Sequence, residues 1–214
     1  MGSRERRTRE RADTRQAILD AAREMFVRNG YEATTMRAIA DKIEYTATAI
    51  YHHFRNKDEL LMELAATDFR ALAAAFQRIG QIEDPVERLR RIGEAYVDFA
   101  LEHPMHYQLM FMTPHPVMGV KGITRGDPSQ DAYGFLRETA TAVIASERLR
   151  PDFQDPEELA QLAWASLHGL LALHITKRAS KQGGEEWIQW RDARRTGARM
   201  CEALVRGLLR APTK

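Results

Sequence analysis

The stretch TMRAIADKIEYTATAIYHHF, residues 35–54, permits few folds. Met36, Ile39, Ala40 and Ile43 recur at helical spacing, as do Ala49, Ile50 and Phe54, and only Glu44 and Tyr45 separate the two runs. Thr34 or Thr35 is the expected N-cap of the first helix, and Thr46 of the second. Helices this short do not persist alone, because nucleation fixes several residues before the hydrogen bonds begin to repeat. The pair must therefore pack on a third helix, which residues 14–29 supply. Ala40 is small enough for a close crossing, and Ile50 pins the second helix from beneath. This is helix-turn-helix spacing, and it presents the start of the second helix to a DNA major groove.

The remainder reads as helical almost throughout. DTRQ (13–16) has the form of a capping box and opens an apolar stripe at Ile18, Ala22, Met25 and Phe26. Asn29-Gly30 suits a left-handed C-cap. NKDE (56–59) is a second box, leading into Leu60, Leu61, Leu64, Leu72, Phe76 and Ile79. DPVE (84–87) and DPEE (155–158) each place Asp at the N-cap, Pro at N1 and Glu at N3. HPMHYQLMF (103–111) restarts a helix after a break. Residues 113–130, with three prolines and three glycines, form the expected long loop. A helix through Tyr133, Phe135, Leu136, Ala140, Val143 and Ile144 follows, and the last runs from about Trp187 to Leu209. No stretch alternates with strand period. The expected fold is all-α, with about nine helices.

Composition narrows the setting. The single cysteine, Cys201, excludes an intramolecular disulfide and suits a reducing cytoplasm. The first residues lack the apolar core of a secretory signal. The most apolar segment, LAQLAWASLHGLLALHI (159–175), carries Gln161, Ser166, His168 and His174 and falls short of the ~20 residues of a membrane helix, so it reads as a buried helix with no membrane partner. The net charge of +2 is unevenly spread. Residues 1–57 hold 12 Lys and Arg against 8 Asp and Glu (+4), residues 58–176 hold 10 against 18 (−8), and residues 177–214 hold 10 against 4 (+6). A basic N-terminus points to a polyanion, but charge alone would nominate both ends.

Residues 14–60, TRQAILDAAREMFVRNGYEATTMRAIADKIEYTATAIYHHFRNKDEL, closely resemble the DNA-binding domain of the tetracycline-repressor (TetR) family. The likeness includes Phe26, Gly30-Tyr31, the Thr34-Thr35 start, the Ala40 crossing, IYHHF, and Lys57 at the head of the fourth helix. By this resemblance Thr35, Tyr51, His52 and Lys57 contact DNA phosphates, and Arg37 is a further phosphate candidate, in line with the anion affinity of hydroxyls and amines at helix starts. Thr46, Ala47 and Thr48 face base edges, where methyl groups meet thymine and hydroxyls take either partner. Three positions depart from the family pattern. Glu44 stands where glycine is usual, a position often needing positive φ, and Ala47 and Thr48 differ from many members. Arg4, Arg6, Arg7, Arg9 and Arg11 form an arm that either reaches along the DNA or is a solvated tail.

The implied organisation is a basic arm (1–12), a helix-turn-helix domain (13–55) and a helical ligand-binding and dimerisation domain (56–214). EHPMHYQLMF and WASLHG resemble a C-terminal subgroup with a Trp-His-Gly motif. Helix 159–175 is apolar on nearly every face, so a symmetry mate is expected over one side, with the last helix (Trp187, Trp190, Cys201, Leu204, Leu208) completing a homodimer interface. His106, Tyr107, Met110, Phe111, Trp164 and His168 are the candidates for contact with a small apolar or aromatic effector, or else ordinary core residues. His103 and His106, at i and i+3, match a metal-ligand spacing, but capping explains His103 more simply. No phosphate loop or nucleophile elbow is present, and no catalytic residue, metal or cofactor is expected. The expectation is a cytoplasmic, ligand-responsive repressor binding operator DNA. The alternative is an all-α small-molecule- or metal-binding protein.

Overall fold

The computed structural model describes residues 2–114, 124–178 and 188–210. Among these residues nine α-helices and one π-helical turn follow in the order α1 (Ser3–Asn29), α2 (Met36–Lys42), α3 (Ala47–Tyr51), α4 (Lys57–Gln77), α5 (Pro85–Glu102), α6 (Pro104–Phe111), α7 (Ala132–Ala145), α8 (Pro156–Leu173), the π turn (His174–Arg178) and α9 (Ala193–Leu208). The all-α class is as the sequence implies. Within the described residues the one strand-like pairing is the antiparallel bridge between Leu149 and Leu209. Residues 115–123 of the expected loop, and Trp187 at the expected start of the last helix, lie outside the described residues. The last helix starts later, at Ala193, where the Asp192 carboxylate accepts from the Arg195 amide at 2.8 Å.

The chain divides into two units, Met1–Asp68 with Met105–Gly122, and Phe69–Pro104 with Ile123–Lys214. In the first, Ile18, Ala22 and Phe26 of α1 bury against Ile39 and Ala40 of α2, Ile50 of α3, Phe54 in the link after it, Leu60 and Leu64 of α4, and Leu109 of α6. Thr35 caps α2 by accepting from the Ala38 amide, and Thr46 caps α3 by accepting from Ala49. Thr34 is fully buried and donates instead to the Gly30 and Met25 carbonyls. Gly30 closes α1 at φ 84°, ψ 161°, a region only glycine occupies freely, rather than in the left-handed cap expected for Asn29-Gly30.

The start of α1 also differs from the expected one. The helix begins at Ser3, where the Gly2 amide donates to the Glu5 carboxylate, and Asp13 lies inside it. The 13–16 box is not formed, because Gln16 donates forward to Asp20 at 2.9 Å. The box at 56–59 forms with a shift: Asn56 accepts from the Glu59 amide, while the Glu59 carboxylate accepts from Arg55.

In the second unit Asp84 and Asp155 cap α5 and α8 as their sequences imply, each followed by a proline. With the π turn, the helix Pro156–Lys177 reaches 22 residues, longer than the sequence reading allowed, and by length and composition alone it is long enough to cross a membrane. One face, through Leu159, Ala160, Ala163, Leu167 and Leu171, is buried in its unit, whereas Leu162 and Leu173 are exposed. One side is thus covered within its own unit, and the exposed side is the one over which the sequence reading expects a symmetry mate.

Glu44 sits at φ 60°, where an L-residue is strained. Glu44→Gly is expected to raise stability by roughly 0.5–1 kcal/mol, the relief of about 1–2 kcal/mol of left-handed strain less glycine's entropic cost. Urea unfolding of the full chain measures it, and a loss of stability would mean the turn does not need this conformation.

Candidate nucleic-acid interface

The link between α2 and α3 is closed by backbone bonds. Ile43 and Tyr45 amides both donate to the Ala40 carbonyl, at 3.1 and 3.0 Å, and Glu44 donates to Asp41. Thr46 then starts α3 as an extended N-cap, at φ −80°, ψ 149°. Because Ala40 and Ile50 are completely buried, the opposite faces of both short helices are fixed outward. Thr35, Arg37, Thr46, Thr48, Tyr51 and His52 are all exposed and Ala47 is half-buried. Seven of the eight expected DNA contacts therefore share this pair of helices and their caps.

Lys57, the eighth, is half-buried at the head of α4. Its ammonium donates to the Tyr31 carbonyl at 2.7 Å and lies 4.1 Å above the Tyr31 ring. Tyr31 Oη in turn donates to the Asp58 carboxylate, and burial, with that carboxylate, pushes the phenol well above its usual range. Lys57 thus ties the first turn of α4 to the loop before α2, whatever else it touches. Beside the interface, the half-buried His53 imidazole is held below its usual value by burial first and then by Arg11, Arg15 and His52.

The six expected effector residues fall in both units. In the first, Tyr107 is fully buried with its ring 5.1 Å from that of Phe111, and Met110 is buried. His106 Nδ1 lies 2.8 Å from Asp68 Oδ1, and Asp68 also accepts from Arg23 Nη2 at 2.8 Å. In the second, Trp164 Nε1 donates to Tyr96 Oη at 2.9 Å, its ring 5.8 Å from Tyr133 and edge-on to His168. Burial lowers the pKa of His168. A surface cavity of about 410 Å³ in the second unit is lined by Arg90, Arg195, Ala198, Arg199 and Glu202, none of them among the expected six.

His103 closes α5, donating its amide to the Phe99 carbonyl at 2.9 Å, and directly precedes α6. Among the described residues no group of three or more His, Cys, Asp or Glu side chains is arranged to hold a metal ion. Sequence reasoning missed the Arg23–Asp68–His106 network. Its one local signal is Asp68 itself, a carboxylate standing where the Leu60, Leu64, Leu72 stripe of α4 calls for an apolar residue.

Two threonine-capped helices crossed on a third, with hydroxyl, phenol, imidazole and guanidinium groups left along one outer face, define a helix-turn-helix DNA-binding unit. Residues 18–64 match the family of tetR bacterial regulatory proteins, and residues 89–190 match the tetracyclin repressor-like C-terminal domain. The chain belongs to the TetR family of bacterial regulators. It is 42% identical over 71 residues to the HTH-type transcriptional repressor Rv1474c of Mycobacterium tuberculosis, a match spanning 33% of this chain and 38% of that protein. The repressor AcnR of Corynebacterium diphtheriae is 36% identical over 69 residues, 32% of this chain and 36% of AcnR. The matched part is thus under two-fifths of either relative. The fold extends further: NalD of Pseudomonas aeruginosa superposes with a TM-score of 0.69 over 94% of this chain and 98% of its own, at 20% identity.

Proposed function

We propose that this protein is a transcriptional repressor that binds an operator as a homodimer and leaves it when a small apolar or aromatic effector binds. Residues 1–12 serve as a basic arm, 13–55 as the DNA-binding domain and 56–214 as the effector and dimerisation domain of a cytoplasmic, non-enzymatic regulator. The observation that carries the reading is the outward face of α2 and α3, where Thr35, Arg37, Thr46, Thr48, Tyr51 and His52 stand exposed over a buried Ala40 and Ile50. Thr35, Arg37, Tyr51, His52 and Lys57 take phosphates, and Thr46, Ala47 and Thr48 take base edges. The exposed Leu162 and Leu173 on α8 support a symmetric partner over that face, and operator half-sites call for one. His106, Tyr107, Met110, Phe111, Trp164 and His168 remain the proposed effector contacts. The effector acts only through its differential affinity for the DNA-bound and released states.

The test is fluorescence anisotropy on duplex DNA from upstream of the protein's own gene, at two salt concentrations, against a scrambled competitor. Specific binding is expected to survive both. Tyr51→Ala with His52→Ala removes two exposed groups and leaves the core intact. A hydrogen bond to a charged group contributes about 1.5–3 kcal/mol, so the double variant is expected to bind at least ~10-fold more weakly. Undiminished specific affinity in the folded double variant would sink the contact assignment.

A further inference from the structure

We propose that Arg4, Arg7 and Arg11 form a phosphate-binding stripe on the N-terminal extension of α1, continuing the DNA contact surface beyond the helix-turn-helix. The proposal rests on the DNA-binding reading above. It begins from the exposed first turns of α1. Residues 4–13 are all exposed, and the first buried side chain of the helix is Ile18. A run that buries no apolar surface gains no core stability, so its use is sought in its surface.

At about 100° per residue, Arg4, Arg7 and Arg11 fall on one face, followed on that face by Thr14, Arg15 and Ile18. The later members fix which way the face looks. Ile18 is fully buried. Thr14 Oγ1 lies 3.4 Å from Oη of Tyr45, in the α2–α3 turn, and the Arg15 guanidinium sits 4.6 Å over the Phe54 ring, just after α3. The stripe therefore runs out from the side of α1 that meets the turn and the end of α3. Arg11 is also among the charges that hold His53, two residues beyond α3, below its usual pKa.

Charge is sorted around this helix. Glu5, Glu10 and Asp13 lie away from the stripe, together with Arg6 and Arg9. Arg6 pairs with Glu10 at 3.4 Å, and Glu5 accepts the Gly2 amide. Among the described residues Arg4, Arg7 and Arg11 make no ion pair with a carboxylate. One face is purely basic and the other nearly neutral. From Arg4 to Arg11 the helix rises about 10 Å, an axial length over which one DNA strand presents about three phosphates.

The test compares two double variants of equal net charge in the full chain, Arg7→Ala with Arg11→Ala, and Arg6→Ala with Arg9→Ala. Alanine keeps helix propensity, so neither pair unwinds the extension. The probe is a duplex that the wild-type protein enriches from a random-sequence pool, with affinity measured across a salt series. The stripe double is expected to bind at least ~10-fold more weakly, and its log K against log salt slope is expected to flatten by about one for each phosphate that is no longer neutralised. The opposite double is expected to change affinity less than ~3-fold with an unchanged slope. Equal losses from the two doubles would replace the stripe by a diffuse charge effect, and no loss from either would remove the arm from the interface. A wild-type protein that enriches no sequence would overturn the DNA-binding reading itself. Enrichment with an insensitive stripe overturns only this inference.

Discussion

Asp68→Ala is expected to lower the stability of the full chain by about 3–5 kcal/mol, the cost of leaving a buried charge without its partner. The carboxylate is wholly buried, and it accepts from Arg23 Nη2 at 2.8 Å and Nε at 3.4 Å, with His106 Nδ1 at 2.8 Å on the same Oδ1. Arg23 is itself buried, and its other carboxylate, Asp20 at 3.3 Å, is largely exposed and cannot replace the loss. The attraction is strong here because little water screens it, and the same dryness makes an orphaned guanidinium expensive. Replacing both partners by apolar residues of similar size, Arg23→Met with Asp68→Leu, is expected to recover most of the stability. Urea midpoints for the single and double variants, closed into a cycle, measure the coupling. A single-variant cost below about 1 kcal/mol would mean that water reaches the site and the pair is worth only what a surface pair is worth.

Gly93→Ala is expected to cost about 1 kcal/mol and to become neutral or stabilising when Cys201 is also replaced by alanine. A Cβ at position 93 would stand 2.5 Å from Cys201 Sγ and 3.0 Å from Leu167 Cδ1, so α5 and α9 approach through this glycine. Both contacts lie inside the second unit, where Cys201 is buried and its thiol is pushed up to about 11 by burial. Overpacking a filled site costs about 1–3 kcal/mol, against a helix-propensity gain of about 1 kcal/mol for alanine over glycine. Removing the sulfur leaves only the end of a leucine side chain in the way, which can turn aside. In the Cys201→Ala background Gly93→Ala is therefore expected to be neutral or stabilising. Equal costs in both backgrounds would place the conflict in the backbone crossing instead of at the sulfur.

The helix starts and the α2–α3 turn were legible because their determinants are local. Thr35, Thr46, Asp84 and Asp155 cap helices within three residues of themselves, and Glu44 was marked by standing where the family has glycine. Geometry that depends on distant partners was not legible. Arg23 meets Asp68 across 45 residues and His106 meets Asp68 across 38, and no spacing in the chain announces either pair. The engagement of His106 Nδ1 by a buried carboxylate was therefore absent from the sequence reading. The extension of α1 was hidden for another reason. A helix that is polar all round has no apolar period to read, and the strong cap signal at Asp13 competed with the true start at Ser3.

One continuous helix carries both the exposed arginines and Arg23, and length turns that continuity into gain. From Arg23 to Arg4 the axis covers about 28 Å, so a rotation of about 5° at the buried end would sweep the outer arginines through about 2.5 Å, nearly a hydrogen-bond length. The rigidity of that rod comes from bonds within the helix, backbone bonds together with local pairs such as Arg6–Glu10, since its outer turns are exposed. A helix breaker at Thr8 or Ala12 would disconnect the two ends while leaving every charge in place.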